Sequence, residues 1–311
     1  MVDRGREPAI SGATALVAVL GDPVRHSLSP AMHNAALREM GLDWVYLALP
    51  TPADHLAGVL EALEALDCRG LNVTLPHKRA VAALAAERGE LAERVGAVNT
   101  LARRPGGGWL GTNTDVEGFL APLREEDPPR QALVLGCGGS ARAVVAGLAA
   151  WGVGRIGVAG RQADARQALV ASCQAWAPGL QAVAWDGTRP GGGSHGADVS
   201  PLDRWLAEAD LVVNTTPVGM ASATDPSATR ASPLNAEALA QLRPEATVYD
   251  LIYTPRPTAL LRHAAERGCR CLDGLEMLVQ QGAAALRLWS GEETIPVEAM
   301  RRAARAALGE A

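Results

Sequence analysis

The sequence lacks any long block of one charge. Its 29 basic and 34 acidic residues are interspersed and sum to a net −5, which leaves no electrostatic footprint for nucleic acid or for an acidic membrane. No apolar run is long enough to span a bilayer. The longest uncharged and wholly apolar stretch, residues 143–154, is flanked by Arg142 and Arg155 and falls well short of the roughly 20 residues required. A secretory leader is not expected, because residues 1–14 are polar and charged and the apolar run after them stops at Gly21-Asp22-Pro23. Cysteine is sparse and odd in number: Cys68, Cys137, Cys173, Cys269 and Cys271. Only the last two lie close together, at a spacing typical of neither zinc sites nor redox motifs, so they read as reduced structural thiols. There is no internal repeat. These absences exclude a disulfide scaffold, a membrane protein and a nucleic-acid binder. They point to small-molecule chemistry, and a cytoplasmic protein with a loose N-terminus over residues 1–14 is expected.

What is present is apolar sequence in short pieces. At 48% hydrophobic residues over 311 positions, the chain supports two domains with separate cores. Runs rich in Val, Leu and Ala at residues 15–20, 44–49, 71–74, 132–136, 155–160, 211–214 and 247–250 alternate with longer Ala-rich segments. That alternation predicts a mainly parallel α/β architecture. Residues 140–151 read as a helix with Gly152 as its stop, completing one βαβ unit. The charged, proline-bearing segment 125–130 cannot continue a helix and reads as a linker, with a domain boundary near residues 115–130. Residues 187–200 and 221–233 read as surface loops.

The run ALVLGCGGSARAVVAGLAAWG sets a buried strand, a glycine turn and a helix in succession. Gly136, Gly138 and Gly139 let the backbone turn tightly and approach a pyrophosphate at the helix N-terminus, where Ser140 adds a hydroxyl. A tight strand-to-helix turn without a ligand is the plainer alternative. The end of the next strand weighs against it. An NAD enzyme places a carboxylate there for the ribose 2′-hydroxyl, whereas here Gly160 is followed by Arg161, with Arg166 close behind. Arginine suits the 2′-phosphate of NADP.

Other polar residues gather on loops. GDPVRHSLSPAMHN places Ser27 and Ser29 on a turn stiffened by Pro23 and Pro30, where two hydroxyls serve a single carboxylate. The competing reading makes Ser29 an N-cap, with Pro30 at the first helical position. His33 reads as a helix-packing residue. LNVTLPHK ends a strand at Thr74 and delivers Lys78 at the mouth of the sheet; GAVNT brings Asn99, and GTNTDVEGF brings Asp115 near the domain boundary.

Taken in order, GDPVRHSLSPAMHN, NVTLPHK, GAVNT, GTNTD, GCGGSARA, NTTPVGM, DLIYTPRPT and GLEMLVQQGA resemble the shikimate dehydrogenase family over most of residues 15–290. The resemblance implies an α/β protein of two domains. One is a mainly parallel substrate-binding domain at residues 15–118. The other is a Rossmann-type NADP-binding domain at 119–274, and C-terminal helices at 275–311 return to the substrate domain. It implies NADP(H)-dependent interconversion of 3-dehydroshikimate and shikimate in a cleft between the domains. Carried over by residue, Ser27, Ser29 and Tyr253 hold the carboxylate, and Thr74, Lys78, Asn99, Asp115 and Gln281 bind the ring hydroxyls. The cofactor falls to Gly136, Cys137, Gly138, Gly139, Ser140, Gly160 and Arg161, with Leu251 and Gly274 near the nicotinamide. Cys137 and Ser140 in the glycine loop, Gly160 where Asn is common and Leu286 where an aromatic is frequent depart from the family pattern. Hydride transfer from an alcohol needs an acid–base group, and no zinc-type constellation stands in the sequence to polarise the alcohol, so that role falls to Lys78 with Asp115 as its partner. A quinate/shikimate or aminoshikimate dehydrogenase and a non-catalytic ligand sensor are the alternative readings. A monomer or homodimer is expected.

Overall fold

The computed structural model describes residues 10–185, 199–221 and 225–310. Residues 1–9, 187–198 and 222–224 of the expected N-terminal tail and surface loops lie outside the described residues. The chain divides into two compact units, one built from residues up to 121 together with those from 276 onward, the other from residues 122–275.

The first unit runs β1 (Ala15–Gly21), α1 (Ser29–Met40), β2 (Trp44–Pro50), α2 (Leu56–Ala65), β3 (Gly70–Val73), α3 (Lys78–Leu84), β4 (Glu87–Arg88), α4 (Glu90–Val95), β5 (Thr100–Arg103), β6 (Trp109–Thr112) and α5 (Asp115–Leu120). Its strands lie in the order β2-β1-β3-β5-β6-β4. β1 pairs in parallel with β2 and β3, as β4 does with β6. β3–β5 and β5–β6 are antiparallel. Three of the five pairings are parallel, in line with the mainly parallel expectation for this unit, and two are antiparallel. The antiparallel part comes from TLAR and WLGT, four-residue strands joined by a short turn, which permits only antiparallel pairing. β1 and β3 are buried and supply a core of Ala18, Leu20, Leu71 and Val73 against Leu56, Leu60 and Val81.

The second unit runs β7 (Gln131–Leu135), α6 (Gly139–Ala150), β8 (Arg155–Gly160), α7 (Ala163–Cys173), β9 (Leu180–Ala184), α8 (Pro201–Glu208), β10 (Leu211–Asn214), α9 (Ala236–Leu239), β11 (Thr247–Asp250), α10 (Ala259–Glu266) and β12 (Arg270–Leu272). The order β12-β11-β10-β7-β8-β9 is parallel throughout. This is the doubly wound arrangement, whose strand order reverses between β7 and β10, and ligands of such sheets sit outside the carboxyl ends of the strands at that reversal.

Two further helices, α11 (Gly274–Ser290) and α12 (Val297–Ala307), follow. From Glu276 onward they belong to the first unit, where α12 packs on α1. Trp289 donates its indole N–H to Leu101 O at 2.9 Å, and its ring occupies the space that a Cβ on Gly70 would need. Gly118 in α5 brings two helix backbones together: a Cβ there would lie 2.7 Å from Met277 O and 2.8 Å from Gln281 Cβ.

Candidate active site

In the first unit the ends of β1, β2 and β3 are tied together. Thr74 N–H donates to Leu20 O at 2.9 Å and Thr51 N–H to Gly21 O at 3.0 Å. The buried ring of His77 meets Thr51 O through Nε2 at 2.7 Å. With that loop pinned, Lys78 opens α3, and its carbonyl accepts Val98 N–H at 2.9 Å, which brings the residue beside the Asn99 segment.

Asp115 opens α5, where free N–H groups of the first helical turn favour a carboxylate. Lys78 Nζ lies 2.6 Å from Asp115 Oδ2, and both side chains are largely buried, at 15% and 8% exposure. Asn99 Nδ2 donates to Asp115 Oδ1 at 2.8 Å and to Thr114 Oγ1 at 3.0 Å, and reaches Gln281 Oε1 at 3.5 Å. The structure thus brings together Lys78, Asn99, Asp115 and, more loosely, Gln281. Of the 29 lysines and arginines of the chain, Lys78 is the only lysine. Arginine serves every other cationic position but cannot deprotonate, whereas lysine can. That compositional signal singles out Lys78 independently of any motif.

Ser27 and Ser29 flank the start of α1. The N-cap reading of Ser29 is corrected: Leu28 occupies the cap and Ser29 is the first helical residue. It is Ser27 Oγ that accepts Ser29 N–H, at 3.2 Å. The chain turns into the helix one residue early, so the Ser29 hydroxyl faces the buried Tyr46 phenol, which burial holds well above its ordinary pKa against that hydroxyl's opposing pull. His33 is buried and stacks on Tyr46 with ring centroids 4.0 Å apart. Thr74 is half-buried, its methyl 2.5 Å from where a Cβ on Gly21 would stand.

In the second unit, Gly136 follows β7 with φ +116°, a conformation L residues avoid, and a Cβ there would collide with Thr215 Oγ1. A Cβ on Gly138 would meet nothing within 4 Å. One glycine is therefore demanded by the protein itself, while the other leaves open space for a ligand to approach the backbone, in front of the free N–H groups at Gly139 and Ser140 that open α6. Cys137 and Gly160, two departures from the family pattern, face each other, since a Cβ at Gly160 would lie 2.6 Å from Cys137 Sγ. Burial pushes the Cys137 thiol up, with Arg166 opposing. Arg166 donates to Gly160 O, and Arg161 is exposed at the strand end with no carboxylate in the place an NAD ribose requires. These residues fit a 2′-phosphorylated dinucleotide. Gly274 lies against the Leu251 carbonyl so closely that a Cβ has no room. Tyr253, in this second unit, is half-buried, and its phenol is pushed up by desolvation.

Several residues that hold these loops stand inside the quoted motifs without a role assigned to them from sequence. Asn214 Nδ2 donates to Asp250 Oδ1 at 2.9 Å, Thr258 Oγ1 donates to Asp250 Oδ2 at 2.7 Å, and Ile252 N–H donates to Asp250 Oδ1 at 3.2 Å. Thr215 Oγ1 donates to Leu135 O at 2.7 Å. This cluster fixes the ends of β7, β10 and β11 on the sheet's carboxyl edge. His77, Thr100 and Thr114 do the same in the first unit. Among the described residues no group of three or more His, Cys, Asp or Glu side chains is placed to hold a metal ion, and no helix is long and apolar enough to cross a membrane.

Residues 19–101 match the shikimate dehydrogenase substrate binding domain family, and residues 274–305 match the shikimate 5′-dehydrogenase C-terminal domain family. A shikimate dehydrogenase (NADP(+)) of Synechococcus sp. (strain JA-3-3Ab) is 48% identical over 301 residues, covering 97% of each chain. Among solved structures, a shikimate dehydrogenase in complex with NADP+ aligns with a TM-score of 0.83 at 31% identity over 96% of this chain and 98% of its own. The shikimate 5-dehydrogenase of Thermus thermophilus, in complex with NADP(H) and shikimate, aligns with a TM-score of 0.78 at 39% identity over 94% of this chain and 99% of its own.

Proposed function

The chain belongs to the shikimate dehydrogenase family, and from that premise we propose that it catalyses the reversible, NADP-dependent reduction of 3-dehydroshikimate to shikimate. The observation that carries the reading is the pairing of Lys78 with Asp115 at 2.6 Å. When bound, NADP(H) supplies or accepts the hydride. In the oxidative direction Lys78 Nζ takes the hydroxyl proton of the reacting carbon, and in the reductive direction it returns that proton to the carbonyl oxygen. Asp115 orients the Lys78 amine, while Asn99 fixes the carboxylate from its other oxygen. General acid–base groups contribute about a hundred- to ten-thousand-fold. Thr74, Asn99 and Gln281 orient the ring hydroxyls, and the Ser27 and Ser29 hydroxyls hold the carboxylate. The backbone of Gly136 to Ser140 would take the pyrophosphate of NADP(H), Arg161 with Arg166 its 2′-phosphate, and Leu251 and Gly274 its nicotinamide end. The reading carries with it a cytoplasmic location and a monomeric or homodimeric state, checked by fractionation and sedimentation.

The test is the absorbance of reduced nicotinamide with the purified chain, offered shikimate or quinate with NADP+ or NAD+. Turnover is expected to be greatest with shikimate and NADP+. Faster turnover with quinate and NAD+ would move the chain to a quinate-oxidising role, and no turnover with any pair would overturn the enzymatic reading.

A further inference from the structure

Behind the Lys78–Asp115 pair, a line of buried polar side chains crosses the first unit's sheet, and the chemistry described so far makes no use of its far end. Tyr46 on β2 donates its hydroxyl to Asn72 Oδ1 on β3 at 2.7 Å. Asn72 Nδ2 donates to Thr100 Oγ1 on β5 at 3.1 Å. Thr100 Oγ1 donates in turn to Asn99 Oδ1 at 3.0 Å, and Asn99 Nδ2 donates to Asp115 Oδ1. Tyr46 and Thr100 are 0% exposed, Asn99 3% and Asn72 5%. An amide inside a central strand runs against the ordinary preference of sheets, and buried polar groups are costly unless every one is paired. Here they are paired: among the described residues, no buried side-chain atom without a partner belongs to this line.

The line has a direction. The phenol of Tyr46 keeps its proton, because burial raises its pKa, so it donates to Asn72 and sets which end of that amide faces Thr100. Thr100 Oγ1 also lies 3.1 Å from Thr114 Oγ1, where either hydroxyl can donate, but Asn99 Oδ1 carries no proton and is met by Thr100 only as a donor; the Thr114 backbone N–H donates to the same oxygen at 2.7 Å. The Asn99 amide is then held with its N–H end toward Asp115. Were it flipped, an acceptor oxygen would face the carboxylate.

We propose that Tyr46, Asn72 and Thr100 are positioning residues for the reaction: they fix the orientation of the Asn99 amide, and through it the Asp115 carboxylate that meets Lys78. The inference rests on the acid–base reading of that pair. Removing the middle member breaks the direction of the line without replacing any residue that the proposed function sets against a ligand. Thr100→Val is therefore expected to lower kcat for shikimate oxidation about tenfold, a penalty in keeping with small misplacements of reacting groups. Both KM values are expected to stay within about twofold of native. Thr100→Ser, which restores the hydroxyl, is expected to recover kcat to within about twofold, and Tyr46→Phe, two bonds further off, to lower it about threefold. A role in folding alone would lower the melting temperature in Thr100→Val while leaving kcat per folded molecule native. That result, or a Thr100→Ser enzyme as slow as Thr100→Val, overturns the proposal. If Thr100→Val does not fold, Tyr46→Phe decides, and a native kcat there overturns it. An inactive native chain overturns the functional reading and the positioning with it, whereas an active native chain beside an equally active Thr100→Val overturns the positioning alone.

Discussion

Under the proposed function, the two units would meet small molecules in opposite ways. In the first, the chemistry sits in side chains: an ammonium, a carboxylate, amides and hydroxyls, each fixed by another side chain or by the end of a strand. In the second, the ligand-facing surface is chiefly backbone. Gly138 leaves open space in front of the backbone, and the polar side chains of Asn214, Asp250 and Thr258 are buried behind loops that they support. A reacting ring needs groups that exchange protons and point in set directions, which only side chains supply. A pyrophosphate needs N–H groups and close approach, which a helix N-terminus and missing Cβ atoms supply. Substitutions should therefore damage turnover in the first unit and cofactor affinity in the second.

The largest separation is expected at Asp115. Asp115→Asn removes the partner of Lys78 and should lower kcat by about a hundred- to ten-thousand-fold, with KM for NADP+ close to native. A matching rise in that KM would erase the contrast between the units.

Acidity separates them too. In the first unit, burial lowers the His33 pKa to about 4. The folded state therefore binds fewer protons than the unfolded one between pH 6.5 and 4, and the stability present above that window, on the order of 3 kcal/mol, is lost as pH falls through it. In the second unit, burial raises the Asp250 pKa to about 6. The sign reverses: the contribution is present below pH 3.8 and is lost, again on the order of 3 kcal/mol, as pH rises through 6. Urea unfolding across pH 4 to 7 should show His33→Gln removing the acid-side loss and Asp250→Asn removing the opposite slope. Two variants that tilt the curve in the same sense would contradict one of the two assignments.

At Gly136, an alanine must adopt φ +116° and press on Thr215. The strain is about 1–2 kcal/mol before the clash, so Gly136→Ala should raise KM for NADP+ about tenfold with KM for shikimate near native, as steady-state kinetics would show. The smallest effect is expected at Ser27. Ser27→Ala forfeits one hydrogen bond, about 1 kcal/mol, and should raise KM for shikimate several-fold with little change in kcat.

Much of this was written plainly in the chain, and the remainder is hidden for physical reasons. β1, β2, β7, β8, β10 and β11 stand out as apolar runs bounded by Gly, Pro or polar residues. β5, β6 and β12 are three or four residues long and carry an arginine or a threonine, too little to distinguish a strand from a loop, so the antiparallel half of the first sheet stays unread. Loop motifs expose Lys78, Asn99 and Asp115 because charged and amide groups beside Gly and Pro look out of place in a core. Asn72, Thr100 and His77 do not stand out in the same way, because single polar residues in strands and turns are ordinary until their partners from distant segments are known. Gly118 reads as a weak point in a helix, yet its missing Cβ is what lets α11 carry Gln281 toward Asn99. Long-range contact turns that weakness into a fit, and sequence spacing does not report long-range contact.

The measurement to make is the kcat of Lys78→Arg beside the native enzyme, at saturating shikimate and NADP+. Arginine keeps the positive charge opposite Asp115 and is already the residue at every other cationic position of the chain, but it does not release a proton near neutral pH. If Lys78 exchanges the substrate proton, kcat should fall by about a hundredfold or more, with the fold intact and NADP+ bound as tightly as before. A Lys78→Arg enzyme that turns over within a few-fold of native would show that the pair supplies charge alone, and the acid–base assignment would be wrong.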